Sequence, residues 1–186
     1  MDTLKTTIVA VTITLIAFTA HQSQAQNAEP IREGFTVGGY IGIGAINFTE
    51  GIPDGEEKTQ GNLMLPNIKV GFFLSENLAV YLATTGHLYK LNGHERSLAG
   101  ITPTVQYWAG KFWVGAGYGP AADFRAIYQR KENAETTHCG MGGLLNAGYE
   151  VIQREKWALD IQTRLLLASV NLPDDQKRTG SSVTFT

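Results

Sequence analysis

The sequence predicts an all-β fold, an eight-stranded antiparallel barrel of up-and-down connectivity, and three observations predict it. Apolar residues recur at every second position in segment after segment. Glycine is abundant at 21 residues and proline scarce at 6, a balance that suits tight turns and close strand packing rather than disorder. With 186 residues there is room for one domain and a short extension.

The amino terminus reads as an address. Met1 to Ala25 opens with Lys5, runs through an apolar stretch from Ile8 to Ala20 and ends on Ser23, Gln24 and Ala25, a small-x-small cleavage pattern. The apolar run is diluted by Thr12, Thr14 and Thr19, and a spanning helix needs about 20 apolar residues, so residues 1–25 are expected to be a cleaved signal peptide. Residues 26–33, polar and containing Pro30, are expected to form a short flexible lead-in to a domain at 34–186.

Eight alternating segments follow. From Phe35 to Thr49 the odd positions Phe35, Val37, Ile41 and Ile43 are apolar, against Thr36, Gly38, Tyr40 and Gly44. Met64, Ile68, Val70 and Phe72 then alternate with Asn67, Lys69 and Gly71, and Leu78, Val80 and Leu82 with Ala79, Tyr81, Thr85 and His87. Ala99, Ile101, Val105 and Tyr107 oppose Thr102, Thr104 and Gln106, and Phe112, Val114, Ala116 and Tyr118 oppose Trp113 and three glycines. Gly143, Leu145, Ala147 and Tyr149 make the sixth segment, and Trp157 to Leu167, carrying Asp160, Gln162 and Arg164 on its other face, the seventh. The eighth, Ser181 to Thr186, offers only about six residues where a spanning strand needs about 9 to 11, so the last strand is expected to be frayed or truncated. Pro66 and Pro103 fall inside strands, each removing a ladder donor. Phe124 to Asn133 could form a helical turn in a loop.

Alternation alone does not choose between lipid and water outside. Connection length does. Residues 75–77, 109–111 and 152–156 are short, whereas 50–62 and 120–137 are long and polar, the layout of a barrel with turns on one side of a membrane and loops on the other. The aromatics Phe35, Phe72, Tyr107, Phe112, Tyr149 and Trp157 gather at the short-turn ends, as a girdle at the headgroup level would. The opposite face combines glycines with Asn67, Lys69, His87, Gln106, Asp160 and Arg164, the composition of a narrow, packed polar lumen. Nothing after Ala25 is long and apolar enough for a transmembrane helix, so the expected fold is a transmembrane barrel, the one other structure that satisfies its backbone in lipid.

Several function classes recede. Charged residues are 17% of the chain and the net charge is -2, with no basic cluster to grip nucleic acid. Cys139 is the sole cysteine and has no partner for a disulfide, redox or metal motif, and no cofactor is expected.

The strand-turn-strand segment from Asn67 through Gly71, Phe72, Phe73, Leu74, Ser75, Glu76 and Asn77 to Val80 resembles the hairpins of small bacterial outer-membrane β-barrel proteins of the OmpA and OmpX type. So do Gly100 to Trp108 continuing through Lys111 to Gly117, and Ala147 to Glu150 followed by Trp157 to Gln162. The resemblance covers Gly34 to Thr186 and implies an eight-stranded outer-membrane barrel, delivered by the barrel-assembly machinery and surrounded by outer-membrane lipids, with no shared catalytic residue. Family members usually finish on a terminal aromatic, whereas this sequence reads Phe185, Thr186 at that point.

The expected role is therefore structural or surface-interacting: a monomeric barrel, its lumen plugged by a charge-neutralising polar network, its loops 50–62 and 120–137 open to partners. A narrow pore would use the same charges. A soluble lipocalin-like carrier would turn the apolar face inward around a ligand. A barrel enzyme acting on lipid A or phospholipid would need a nucleophile and base, for which His87 with Ser97, or His138 beside Cys139, are the candidates.

Overall fold

The computed structural model describes residues 32–64, 66–125, 137–154 and 157–186; the expected signal peptide and most of the lead-in lie outside the described residues. The chain is all-β, a single antiparallel sheet of ten strands. They are β1 (Phe35–Tyr40), β2 (Ile43–Glu50), β3 (Thr59–Leu63), β4 (Asn67–Ser75), β5 (Leu78–Leu91), β6 (His94–Ala109), β7 (Phe112–Arg125), β8 (His138–Gln153), β9 (Ala158–Asn171) and β10 (Lys177–Phe185). Hydrogen-bonded neighbours run β1-β4-β5-β6-β7-β8-β9-β10-β2-β3. Among the described residues no helix is long and apolar enough to cross a membrane.

Ten strands replace the eight expected segments for two local reasons. The first segment is interrupted at Ile41 and Gly42, so β1 pairs with β4 while β2 pairs with both β10 and β3. The expected loop 50–62 is shorter than its polar composition suggested, because Thr59–Leu63 joins the sheet as β3 and leaves residues 51–58 as the connection. Asn47 and Thr59 hold that ladder further with a side-chain hydrogen bond of 2.7 Å.

Pro66 sits between β3 and β4 and shifts the alternation. Met64, expected on the face of Ile68 and Phe72, is instead buried and bridges to His87, while Ile68 and Phe72 stay exposed. Having no N–H, the proline interrupts the ladder there, and the regular β4–β5 pairing begins only at Lys69 opposite Ala83. One residue on, the Thr84 hydroxyl takes over, accepting from Ile68 N at 2.9 Å and donating to Ile68 O at 3.3 Å. Pro103 is milder: it lies opposite Leu82, and the β6–β7 ladder lapses between Gly100 and Thr104 without changing register.

The strands outlast their apolar segments. β5 and β6 continue to a two-residue turn at Asn92 and Gly93, with φ of 51° and 73°. Two left-handed residues in succession make the mirror-image hairpin turn that matches strand twist, a conformation glycine tolerates and asparagine accepts. β7 likewise reaches Arg125, so Pro120 to Arg125 are strand rather than loop, and Phe124 is not helical; residues 126–136 lie outside the described residues. β10 spans nine residues, Lys177–Phe185, beginning four residues before the expected Ser181, and is paired along its length with β9.

Candidate functional site: the polar face of the sheet

The two faces of the sheet have exchanged the usual roles. Ile41, Ile43, Leu82, Val105, Leu145, Ile161 and Leu167 are among the exposed apolar side chains, whereas His87, Gln106, Asp123, Gln162 and Arg164 are buried. The sheet curls enough for strands far apart in the ladder to touch across the buried face: Arg164 on β9 meets Thr84 on β5, and Arg178 on β10 meets Asp123 on β7.

Three layers fill that face. Nearest the Asn92–Gly93 turn, the Asp123 carboxylate is enclosed. Its Oδ1 accepts from Arg96 Nε at 3.0 Å, and its Oδ2 accepts from Tyr89 OH at 2.7 Å and from Arg178 Nη1. Arg178 Nε also donates to Gly51 O at 3.0 Å, tying β10 to the loop after β2. Ile46, Phe48, Leu91, Leu98, Leu166 and Val170 pack around this cluster, so one negative charge holds two positive ones in an apolar sheath.

The middle layer holds most of the residues expected in the network. Lys69 Nζ lies 3.5 Å from Gln106 Oε1 and over two rings, Tyr81 at 5.1 Å and Trp113 at 5.0 Å. Asp160 Oδ2 accepts from Trp113 Nε1 at 3.2 Å, so the indole stands between ammonium and carboxylate, contacting both. Arg164, 2% exposed, stacks its guanidinium 4.1 Å above the Tyr40 ring and points at Thr84 O, 3.4 and 3.5 Å away. Tyr40 OH donates to the same carbonyl at 2.5 Å. Among the described residues no ion pair links Asp160 to Lys69 or Arg164; aromatic faces and a carbonyl contact the two cations instead. Asn67 is buried on this face too. His87 is fully buried, and neither ring nitrogen has a hydrogen-bond partner among the described residues.

The third layer lies toward the short turns. Glu150 Oε2 accepts from Arg32 Nη2 at 2.7 Å and Gln153 Nε2 at 2.5 Å, and Oε1 accepts from Trp108 Nε1 at 2.7 Å. Arg32 also reaches Gly110 O at 2.9 Å and covers the Trp108 ring at 5.3 Å. Trp113 fits because Gly148 opposes it: a Cβ there would come within 2.4 Å of the indole. Glycine in β8 makes room for an aromatic of β7.

On the outer face the expected aromatics are distributed as follows. Phe35 and Phe72 are cross-strand partners with ring centroids 5.3 Å apart. Phe112 lies opposite Tyr149, Tyr107 opposite Leu78 and Val114, and Trp157 directly precedes β9. All are exposed except Tyr149, which is half-buried.

The catalytic candidates do not assemble. His87 lies opposite Leu98, whereas Ser97 lies opposite Leu88, so strand alternation sends their side chains to opposite faces of the paired strands β5 and β6. His138 begins β8 opposite Asp123, and Cys139 is exposed. Among the described residues no group of three or more His, Cys, Asp or Glu side chains could hold a metal ion.

Sequence reasoning missed Arg32, Arg96, Asp123, Glu150 and Arg178. For the four that lie in strands, parity was the available signal: Arg96 shares a face with Gln106, Asp123 with Trp113, Glu150 with Asn146, and Arg178 with Ser182, whereas Arg32 precedes β1. The chain matches no known protein family, no curated protein and no solved structure.

Proposed function

We propose that this chain is an exported outer-membrane protein whose sheet closes as an eight-stranded barrel in lipid. Its role is structural or surface-interacting, and its polar interior blocks free passage. The reversed exposure of the two faces carries the reading. A soluble carrier would enclose apolar side chains around a ligand, but here charge, amide and hydroxyl groups are enclosed and aliphatic rows face outward.

Pairing supports closure. β1 and β2 are one ribbon, broken only at Ile41 and Gly42, and Met64 N donates to Gly42 O at 2.9 Å across that break. β3 and β4 form a second ribbon, which pairs with the first through β1–β4 and β2–β3. With β5 to β10 this makes eight ribbons, and the first returns to the last through β2–β10. Eight strands leave an interior just wide enough for side chains to fill. The residues 51–58 at the loop end are a surface available to partners, and the chain acts as a monomer with outer-membrane lipids around it.

Fractionation and unheated gel electrophoresis test this. The protein should partition with outer membranes and migrate differently before and after boiling, and it should give no steady conductance in planar bilayers. Release into a detergent-free extract as a soluble monomer would refute the reading. Leu145→Arg should cost about 2–4 kcal/mol in vesicles if the side chain faces the bilayer midplane, against under about 0.5 kcal/mol on a water-facing surface.

A further inference from the structure

A groove of about 770 Å³ lies on the outward face of the sheet, across β7 to β10. The end nearer the middle of the sheet is apolar: Gly143 of β8 sits between Tyr118 of β7 and Leu167 of β9, both exposed. A Cβ on Gly143 would meet nothing nearer than 3.9 Å, so its absence leaves a slot between a ring and an aliphatic wall, with Met141 beside it. Toward the loop end the groove turns polar. Across β9 and β10 the outward pairs run Leu167 with Ser181, Ser169 with Thr179, and Asn171 with Lys177. Ser169 Oγ is 3.0 Å from Thr179 Oγ1, which donates to Glu50 Oε2 at 3.3 Å. Lys177 is exposed, and among the described residues no ion pair engages it.

The order and spacing of these levels identify what fits. Every second residue of a strand lies about 7 Å further on and on the same face. The Lys177 backbone therefore stands about 7 Å from the hydroxyl pair and about 13 Å from the level of the Gly143 slot. A free anion would engage only the lysine, and a hydrocarbon only the slot. Cation, hydroxyls and apolar slot follow one another as phosphate, ester and acyl chain do in a glycerophospholipid. The volume agrees, since ligand sites of about 300–1,000 Å³ are mostly apolar with a few placed polar groups. Hydroxyls on a face elsewhere lined by aliphatic side chains also need polar partners in lipid, and headgroup oxygens supply them.

We propose that this groove holds a single phospholipid molecule at a defined place on the outer face, with its phosphate against Lys177 and one acyl chain in the slot at Gly143. The ammonium binds the phosphate through a charge-assisted hydrogen bond, the esters lie beside Ser169 and Thr179, and Tyr118 and Leu167 flank the chain. Glu50 limits the headgroup: its carboxylate, held by the Thr179 hydroxyl, repels further anionic groups, so one phosphate fits better than several. The proposal rests on the outer-membrane reading, which brings lipid to this face, and adds that one molecule is retained while its neighbours exchange.

Native mass spectrometry of the folded full chain in detergent tests it. The probes are dioleoylphosphatidylglycerol and dioleoylglycerol, which share their acyl chains and differ in the phosphate-bearing headgroup. The phosphatidylglycerol adduct should be several-fold more abundant than the dioleoylglycerol adduct. Lys177→Gln should bring it down to the dioleoylglycerol level, and Gly143→Phe, which fills the slot, should reduce it several-fold. Val114→Phe, an equally apolar change on the outer face away from the groove, should leave it unchanged. Equal adducts of the two lipids, or a phosphatidylglycerol adduct that survives both Lys177→Gln and Gly143→Phe, overturn the proposal and leave the outer-membrane reading standing. Failure of that reading shows separately, as a soluble monomer obtained without detergent before any lipid is added. Unheated gel mobility reports whether each variant is folded; if Gly143→Phe is not, Gly143→Leu replaces it.

Discussion

The two ends of the polar face each organise around one carboxylate, and they do so differently. Asp123 is fully buried and shared by Arg96 and Arg178, with Tyr89 donating a further hydrogen bond and an aliphatic sheath around all four. Glu150 serves one arginine, and its other contacts are an indole N–H and an amide beside the short turns, where Arg32 also reaches an exposed backbone carbonyl. The difference teaches where removal of charge is costly. At the loop end the carboxylate is the counter-charge for two enclosed guanidiniums, so its loss leaves two like charges desolvated. At the turn end, loss leaves one arginine, rather than two, without its carboxylate, together with one unpaired indole donor.

Four measurements sharpen or break that contrast. The largest effect belongs to Asp123→Ala, expected to destabilise the folded protein by about 3–5 kcal/mol in denaturant titrations in vesicles; a loss below about 1 kcal/mol would show that the two arginines find other partners. Removing all the charge together, as Asp123→Leu with Arg96→Met and Arg178→Met, should recover most of that loss, because apolar side chains of similar volume can replace a buried ion cluster. No recovery in the same titration would mean that the hydrogen bonds, and not the charges, hold the end together. Glu150→Gln keeps an acceptor for Trp108 and Gln153 while removing the charge, so about 1–3 kcal/mol is expected. A cost equal to that of Asp123→Ala would abolish the distinction. Arg32→Ala should be the mildest, about 1–2 kcal/mol, because the Glu150 carboxylate left behind keeps the Trp108 and Gln153 donors; a loss matching that of Asp123→Ala would show that a single arginine matters as much as the shared carboxylate.

Much of the sheet was legible because period-two alternation reports which face a residue takes, and the positions of Lys69, Gln106 and Arg164 follow from parity alone. Strand ends were less legible. Apolar alternation stops before the hydrogen bonding does, so Pro120 to Arg125 of β7 read as loop and the arms of β5 and β6 beyond His87 and before Ala99 fall outside the expected segments. The Asn92–Gly93 pair was the local signal that would have placed the β5–β6 turn. Met64 was assigned to the wrong face because a proline can absorb a residue without ending the ribbon. The Asp123 cluster was not legible from spacing: Arg96, Asp123 and Arg178 meet only through the curl of the sheet, and no local pattern encodes that.

The missing N–H of Pro66 has one more effect. Where it interrupts the ladder, the Thr84 hydroxyl binds Ile68, and the Thr84 carbonyl turns to Tyr40 and Arg164. A neutral dipole and an aromatic ring thus hold a guanidinium that no acid titrates against. Together with Lys69 it outnumbers Asp160, so the formal charge of the three middle-layer groups is positive. In the barrel proposed above, any leak of small ions past that layer would favour chloride over potassium.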